Sequence, residues 1–256
     1  MSENFTIILF LDFASSLTNL FLIRKGVTLM LEKRFSNNLK DRMKKLYDDI
    51  EKYAVNKPVE IVVVSKKQSI EKIEILYNEG FKHFAENVAQ EIRDKDLFYS
   101  KDDIKLSFIG NIQSNKLKYL FKNVDLIQSI DTFEKAQIVN EFYKSKNKKI
   151  DVLLEIKVSY EETKHGFLPS EINFLKENFS NFDFLNVKGI MCIAPNTDNE
   201  KFVEESFKKG KEIFLKLKEE FLDFKILSMG MSDDYIIALK NGSNMLRLGR
   251  YFYEEI

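Results

Sequence analysis

The fold is first indicated by the stretch IVVVSKK, residues Ile61–Lys67. Its four β-branched residues favour a strand, and a run that is apolar on both faces is typical of a strand covered on both sides in a parallel sheet. The run ends in two lysines, where the strand would return to solvent. Lys67 is interpreted as a solvent-facing charge, whereas Lys66 lies close enough to the apolar run to be a candidate functional residue.

Apolar runs alternate with longer stretches of helical periodicity along the rest of the chain. The predicted strands are Glu60–Ser65, Lys82–Ala85, Lys105–Ile109, Leu126–Ser129, Asp151–Lys157, Val187–Ile193, Lys225–Ser228 and Asn244–Leu248. The predicted helices are Glu32–Tyr53, Ile70–Asn78, Val88–Lys95, Asn115–Phe121, Phe133–Lys146, Ser170–Asn178, Glu200–Leu222 and Asp233–Lys240. Eight strands joined by helices over roughly 225 residues favour an α/β protein with a closed (β/α)8 TIM barrel. An open doubly wound sheet is the alternative, but no GxGxxG motif follows the first strand.

The barrel is predicted to occupy residues 31–256 as a single domain, with residues 1–30 as an N-terminal extension. The segment Phe5–Ile23 is almost long enough to span a bilayer, but it contains Asp12 and several polar residues. A membrane anchor is one interpretation of this segment. The favoured interpretation is an appendage, or a translation start at Met30 instead of Met1.

Composition excludes several classes of function. The 40 basic and 40 acidic side chains cancel, which argues against binding nucleic acid or an acidic membrane through bulk charge. The single cysteine, Cys192, fits a reducing compartment, so we expect a cytoplasmic protein. With only His83 and His165 besides, no zinc-ligand spacing is present. Both histidines are interpreted as structural, and Cys192 as a small buried residue that is mildly reactive only beside a cofactor.

The functional residues of such a barrel lie at the carboxyl ends of its strands. Polar or small residues follow the predicted strands there: Lys66, Glu86, Asn87, Gly110, Gln113, Asn115, Asp131, Ser159, Ala194, Pro195, Met229–Ser232 and Gly249–Arg250. An amine at the mouth of a barrel is expected to be partly desolvated, and this favours the uncharged form that a Schiff base requires. The alternative is that Lys66 extends into solvent, as lysines at strand ends usually do.

The last two predicted strands lead into a candidate phosphate site. The segments SMGMS, residues Ser228–Ser232, and RLGR, residues Arg247–Arg250, supply hydroxyls and glycines where barrels of this kind often bind phosphate. Backbone N–H groups at Gly249 and Arg250 are suited to phosphate oxygens, although ordinary turns also explain the glycines. Together with Lys66, this pattern indicates an aldehyde that carries a phosphate, and pyridoxal 5′-phosphate meets both requirements.

Six motifs carry a family resemblance along Leu31–Tyr253. They are VVVSK (Val62–Lys66), HFAENVAQE (His83–Glu91), FIGNIQSNK (Phe108–Lys116), GIMCIAP (Gly189–Pro195), LSMGMSDD (Leu227–Asp234) and GSNMLRLGR (Gly242–Arg250). In this order they resemble the pyridoxal phosphate homeostasis protein family, a single barrel similar to the N-terminal domain of bacterial alanine racemase. The resemblance implies an internal aldimine on Lys66. The contacts that it implies are phosphate contacts from Ser228, Gly230, Gly249 and Arg250, and further pocket contacts near Asn87, Met191, Ser243 and Arg247.

The resemblance also implies a role for Arg247 near the pyridine nitrogen of the cofactor. A guanidinium stays charged and only donates hydrogen bonds, so it would leave that nitrogen unprotonated and the ring a poor electron sink. A structural arginine paired with a carboxylate such as Asp131 is the alternative. The chain departs from the usual family pattern at four places: Ala85 replaces glycine, Leu106 and Ser107 replace Trp-His, Asn111 often differs, and Arg250 replaces a small hydroxyl residue.

The function that these observations favour is a carrier of pyridoxal phosphate in intracellular cofactor homeostasis, not an enzyme. Release would occur by transimination to a small amino acid or to a lysine of an apo-enzyme, and we expect a monomer or weak dimer. One alternative is an amino-acid racemase, which needs a second base, supplied in the racemases by a tyrosine from a separate domain. Another is a cofactor-free Schiff-base aldolase that uses Lys66.

Overall fold

The computed structural model describes residues 38–159, 161, 165–221 and 223–254. Eight parallel strands close into a barrel in chain order. The strands are β1 (Glu60–Val64), β2 (His83–Glu86), β3 (Lys105–Phe108), β4 (Leu126–Ile130), β5 (Ile150–Ile156), β6 (Leu185–Cys192), β7 (Ile226–Ser228) and β8 (Met245–Leu248). The predicted TIM barrel is therefore confirmed, and the open doubly wound alternative is wrong.

Helices connect the successive strands, as a parallel barrel requires. They are α1 (residues 38–53), α2 (Ile70–Asn78), α3 (Ala89–Asp94), α4 (Asp96–Tyr99), α5 (Leu117–Leu120), α6 (Phe133–Ser145), α7 (Ile172–Asn178), α8 (Glu200–Lys218), α9 (Tyr235–Lys240) and α10 (Arg250–Tyr253). Side-chain caps fix two of the starts. Thr132 accepts a hydrogen bond from the Lys135 N–H at α6, and Asn199 accepts one from the Lys201 N–H at α8.

Each strand predicted from the sequence lies within two residues of an observed one. Hydrophobic periodicity also located α2, α6 and α9 closely. The short helices α4 and α10 were not predicted as separate elements, since each has only four residues and offers little periodicity. The predicted helix Glu200–Leu222 ends earlier, at Lys218.

Alternate residues of the strands face the interior of the barrel. The buried interior cluster consists of Val62, Val64, Ala85, Leu126, Leu153, Met191 and Met245. Burying an aliphatic side chain of this size contributes about 1.5–3 kcal/mol relative to exposure. In β1 the inward positions are Val62 and Val64, and the next position with the same alternation is Lys66.

The chain divides into two compact units. One unit, Tyr47–Glu254, contains all eight strands. The other consists of Met1–Leu46 with Glu255–Ile256, and only its residues 38–46, which are helical, are described. The expected domain limits at residues 30 and 31 stay a prediction.

The apolar segment Phe5–Ile23 and the proposed start at Met30 lie outside the described residues. Within the ranges that are described, none of the helices combines the length and the apolar character that crossing a bilayer requires.

Gly110 allows the carboxyl ends of β2 and β3 to approach each other. A Cβ atom at Gly110 would lie 1.9 Å from the Asn87 carbonyl oxygen and 2.8 Å from the Phe108 ring. We expect Gly110→Ala to lower the free energy of unfolding by about 3 kcal/mol or more, because the obstructing atom belongs to the backbone. Urea denaturation measures the loss.

Gly80→Ala is the control for this prediction. A Cβ at Gly80 meets nothing within 4 Å, so only the positive φ of 103° opposes the substitution, with an expected loss of about 1 kcal/mol. An equal loss in the two variants would contradict the steric explanation.

Candidate functional site

Lys66 lies directly after β1, in a tight turn at the carboxyl end of the barrel. The Gln68 N–H donates to the Ser65 carbonyl at 3.1 Å, and Lys67 adopts a left-handed conformation with φ 60°. The Lys66 side chain is exposed. The expected partial desolvation of its amine stays a prediction.

Gly249 brings the end of β8 against the strand that precedes Lys66. β1 and β8 pair with Val62 opposite Arg247 and Val63 opposite Leu248. A Cβ at Gly249 would lie 3.2 Å from the Val64 carbonyl oxygen, a distance that is tighter than most real contacts of that kind. Closure of the barrel thus places Gly249, whose backbone is predicted to bind phosphate, against Val64, which precedes Lys66 by two residues.

Arg247 is a buried cation inside the barrel, with 4% of its surface exposed. Its Nη1 donates to Ser228 Oγ at 2.7 Å, and its Nη2 donates to the Cys192 carbonyl at 2.9 Å. Burial lowers the pKa of the guanidinium, while the nearby Asp234 carboxylate acts in the opposite direction. Asp131 pairs with Lys135 at 2.7 Å, so the alternative in which Asp131 is the partner of Arg247 is wrong.

Arg247 and Ser228 begin a chain of hydrogen bonds that runs down the barrel interior. The members of this axial chain are Arg247, Ser228, Gln128, Ser107, His83 and Glu60. Arg247 can only donate, so the Ser228 hydroxyl uses its own proton for Gln128 Oε1, 2.8 Å away. This in turn fixes the Gln128 amide, whose nitrogen donates to Ser107 Oγ at 2.9 Å.

The lower half of the axial chain ends at the amino-terminal face of the barrel. His83 Nε2 lies 2.8 Å from Ser107 Oγ, and His83 Nδ1 lies 2.8 Å from Glu60 Oε1. The hydrogen bond to His83 lowers the pKa of Glu60. If His83 carries its proton on Nδ1, every donor in the chain points the same way, from the guanidinium to the Glu60 carboxylate. The interpretation of His83 as a packed residue in a strand is confirmed, since it is 6% exposed.

Gln128 is the site residue that the sequence analysis missed. It stands in the middle of β4, where all five residues are buried. The available signal was a polar amide inside an apolar strand, because a buried amide needs partners on other strands.

The other predicted contact residues lie in different surroundings. Met191 belongs to the interior cluster, whereas Asn87 is half-buried beside Gly110. The Ser243 hydroxyl lies 2.6 Å from the Met229 carbonyl oxygen and is buried between β7 and β8. The side chain of Arg250 is exposed and pairs with Asp233, which raises the pKa of the guanidinium. Their roles as pocket contacts stay predictions.

Gly230 shapes the loop that joins β7 to α9. Its φ of 97° is left-handed, and a Cβ there would lie 2.6 Å from the Ala238 Cβ. Its carbonyl accepts the Arg247 N–H at 3.0 Å, so this loop is tied to β8. Within the same loop, the Ser232 hydroxyl accepts the Tyr251 N–H at 3.0 Å.

Buried polar atoms without a hydrogen-bond partner lie at the carboxyl ends of three strands. Within the described ranges these include Glu86 Oε2 in the last residue of β2, Asp131 Oδ1 after β4 and Ser159 Oγ after β5. Such atoms are costly unless a water or ligand satisfies them. Among the polar groups of this region, the Arg247 guanidinium and the Ser228 hydroxyl are donors that suit the oxygens of a phosphorylated aldehyde, whereas Glu86 Oε2 and Asp131 Oδ1 belong to carboxylates, which only accept.

The chain matches the family model described as alanine racemase, N-terminal domain, over residues 40–255. The pyridoxal phosphate homeostasis protein of Buchnera aphidicola subsp. Schizaphis graminum is 36% identical over 200 residues, which cover 77% of this chain and 87% of that protein. The chain belongs to the pyridoxal phosphate homeostasis protein family. The protein of that name from Helicobacter pylori strain ATCC 700392 / 26695 is 33% identical over 207 residues, covering 79% and 90% of the two chains. The resemblance inferred from the six motifs is thereby confirmed.

Solved structures agree with the fold. PipY of Synechococcus elongatus PCC7942, solved with PLP bound, has a TM-score of 0.74 at 24% identity, covering 84% of this chain and 100% of that chain. An alanine racemase of Clostridium difficile 630 has a TM-score of 0.67 at 18% identity, covering 86% of this chain and 56% of that chain. The family's single barrel therefore corresponds to one part of the longer racemase chain.

Gln128→Leu tests whether the axial chain is held together at its centre. The substitution removes the partners of Ser228 and Ser107 inside the barrel, and we expect a loss of about 2 kcal/mol in the free energy of unfolding. Gln137→Leu, on the exposed face of α6, is the matched control, with an expected change of less than about 0.5 kcal/mol. Equal urea midpoints for the two variants would contradict the role assigned to Gln128.

Cys192 is expected to be inert in the folded protein. It is fully buried, and burial raises the pKa of its thiol to about 12. The expectation of a small buried residue is confirmed, whereas its reactivity beside a bound cofactor stays a prediction. Ellman's reagent should react slowly with native protein and rapidly after unfolding in guanidinium. A fast reaction in the native state would contradict this assignment.

Proposed function

We propose that the protein holds pyridoxal 5′-phosphate as an aldimine on Lys66 and carries it for cofactor homeostasis. The observation that carries the proposal is the meeting of β1 and β8, which sets the Lys66 turn beside Gly249 and above Arg247. An amine for the aldehyde and backbone for the phosphate thus come from neighbouring strands. The names of the relatives in Buchnera and Helicobacter support the homeostasis role.

Binding of the phosphate is assigned to the loops after β7 and β8. Ser228, Gly230, Gly249 and Arg250 are the proposed contacts, with N–H groups of the backbone at the last two positions. The Ser228 hydroxyl is engaged by Arg247 and Gln128, so its contact with a phosphate oxygen requires the exchange of one partner. Arg250 is held by Asp233, and its backbone is therefore the part assigned to the phosphate.

Orientation of the ring is assigned to Arg247, with Asn87, Met191 and Ser243 as further contacts. Two of the five guanidinium N–H groups hold Ser228 and the Cys192 carbonyl, which locks the side chain in place. A cation fixed in this way does not protonate the pyridine nitrogen, so the ring is a weak electron sink. This favours carriage over amino-acid turnover.

Release is proposed to occur by transimination. A primary amine, from a small amino acid or from a lysine of an apo-enzyme, would replace the Lys66 nitrogen on the aldehyde carbon: its carbon–nitrogen double bond forms as that of Lys66 breaks, and its two protons pass to Lys66, which is released as a free amine. The exposed position of Lys66 supports this step, because an incoming amine has access to it. A cytoplasmic location and a monomeric or weakly dimeric state are part of the same proposal.

Borohydride trapping tests the proposal. We expect purified protein that is incubated with pyridoxal 5′-phosphate and reduced to carry a pyridoxyl group on Lys66, identified by peptide mass mapping. Lys66→Ala should lose the adduct, and Lys67→Ala, the adjacent control, should keep it. An adduct on Lys67, or on neither lysine, would overturn the site assignment.

The racemase and aldolase alternatives are separated from the carrier by turnover. Loss of optical activity from a panel of L-amino acids is measured for unmodified protein and for Lys66→Ala. Racemisation that disappears in the variant would overturn the carrier role, and a colourless protein that cannot be reconstituted with the cofactor would reject its binding.

A further inference from the structure

We propose that Lys95 and Glu91 are positioning residues for Lys66: they grip the peptide groups on both sides of it and thereby present its amine. This inference rests on the proposed function, since it concerns the same lysine. Its physical basis is a buried network beneath the Lys66 turn, made of Ser65, Glu86, Glu91, Lys95 and Tyr99. The clamp, as we call Lys95 and Glu91 together, lies on α3 and its C-cap.

Lys95 uses all three of its ammonium protons within this network. It is 8% exposed, and its Nζ lies 2.7 Å from Glu86 Oε1, 2.8 Å from Glu91 Oε2 and 3.1 Å from the Ser65 carbonyl oxygen. An ammonium has three donors, so each proton is matched to one acceptor. The third bond ties the peptide group immediately before Lys66.

Glu91 holds the other side of the same turn. Its Oε2 accepts the Lys67 N–H at 2.8 Å, and the same oxygen accepts from Lys95. Lys67 has a φ of 60°, which costs a non-glycine residue on the order of 1 kcal/mol and persists only where neighbouring groups determine it. Lys66 is therefore bracketed by two backbone hydrogen bonds that meet at one ion pair.

The floor of the network is buried and densely hydrogen-bonded. Ser65 is fully buried, with its Oγ 3.0 Å from Glu86 Oε1 and 2.8 Å from Tyr99 OH. Tyr99 OH donates to the same Glu86 oxygen at 2.6 Å. Burial raises the pKa of Glu86, while Lys95 and Tyr99 act in the opposite direction. These contacts fix the carboxyl end of β1 to that of β2.

Stability alone is a weak explanation for this arrangement. A buried ion pair seldom stabilises a fold more than apolar residues of similar size, because desolvation offsets the attraction. The pair Glu204–Lys208 on α8 has the same spacing and a 2.7 Å contact, but it is solvent-exposed and touches no functional segment. The clamp differs from it because Lys95 is buried and Glu91 half-buried, and because both end on the backbone around Lys66.

Positioning matters for covalent attachment more than for binding. The Lys66 nitrogen must attack the aldehyde carbon of the cofactor; a carbon–nitrogen double bond forms, and the carbonyl oxygen leaves as water with two protons from the amine. The rate of this attachment depends on how often the Lys66 nitrogen is held facing the aldehyde carbon. Phosphate binding at β7 and β8 does not depend on that direction.

Two ligands separate these effects. Pyridoxal 5′-phosphate reports covalent attachment through its absorption spectrum, and 4′-deoxypyridoxine 5′-phosphate, which lacks the aldehyde, reports non-covalent binding by calorimetry. We expect Glu91→Ala to slow attachment about 10- to 100-fold and to leave the affinity for the deoxy ligand unchanged. Glu91→Gln, which keeps an acceptor for the Lys67 N–H, should restore most of the rate.

A second variant covers the buried half of the clamp. Lys95→Met alone would leave Glu86 unpaired, so Lys95→Met is combined with Glu86→Gln to keep the interior neutral; the same selective slowing is expected. Glu204→Ala and Lys208→Met are the matched controls and should attach the cofactor at the rate of the unmodified protein.

Three outcomes would overturn the inference. An unchanged attachment rate in Glu91→Ala and in the double variant would remove the positioning role. A parallel fall in affinity for the deoxy ligand would indicate a structural role instead. Absence of attachment in the unmodified protein would reject the proposed function itself. A failure of the proposed function is therefore distinguishable from a failure of the positioning inference, in which the unmodified protein still attaches the cofactor.

Discussion

The pairing of β1 with β8 is the constraint on which the rest of the site depends. The register sets Val62 opposite Arg247 and brings Gly249 against Val64, although these residues lie near opposite ends of the barrel sequence. A sheet that stayed open would leave both edges unpaired and would separate the amine from the glycine backbone. Lys66 follows Val64 by two residues, in the turn at the carboxyl end of β1, where its side chain is exposed.

The axial chain of hydrogen bonds runs through a barrel interior that is lined by the apolar interior cluster. Burying a polar group without a partner costs about 1–3 kcal/mol, so the axial chain is tolerable because each member has a neighbour of complementary type. Ser107 of β3 and His83 of the adjacent strand β2 meet in this chain, with the imidazole Nε2 2.8 Å from the serine hydroxyl.

Two lysines near the mouth differ in chemistry because their surroundings differ. Lys95 is buried and gives its three protons to two carboxylates and a carbonyl, which suits a structural cation. Lys66 is exposed, lies in a turn and is held through its neighbouring peptide groups. One side chain is constrained so that the other is presented, and this division of roles is what the clamp contributes.

The sequence by itself determined the barrel, its eight strands and the placing of Lys66 after the first, because periodicity and local motifs are properties of short segments. The order of the motifs also singled out Arg247 and Ser228 as candidate contact residues, and their contact with a cofactor stays a prediction. Only the tertiary structure decided that Arg247 holds Ser228 and the Cys192 carbonyl, that Gln128 joins them, and that Lys66 is exposed. These features depend on which strands become neighbours and on how far each side chain reaches across the closed barrel, and no single segment carries that information.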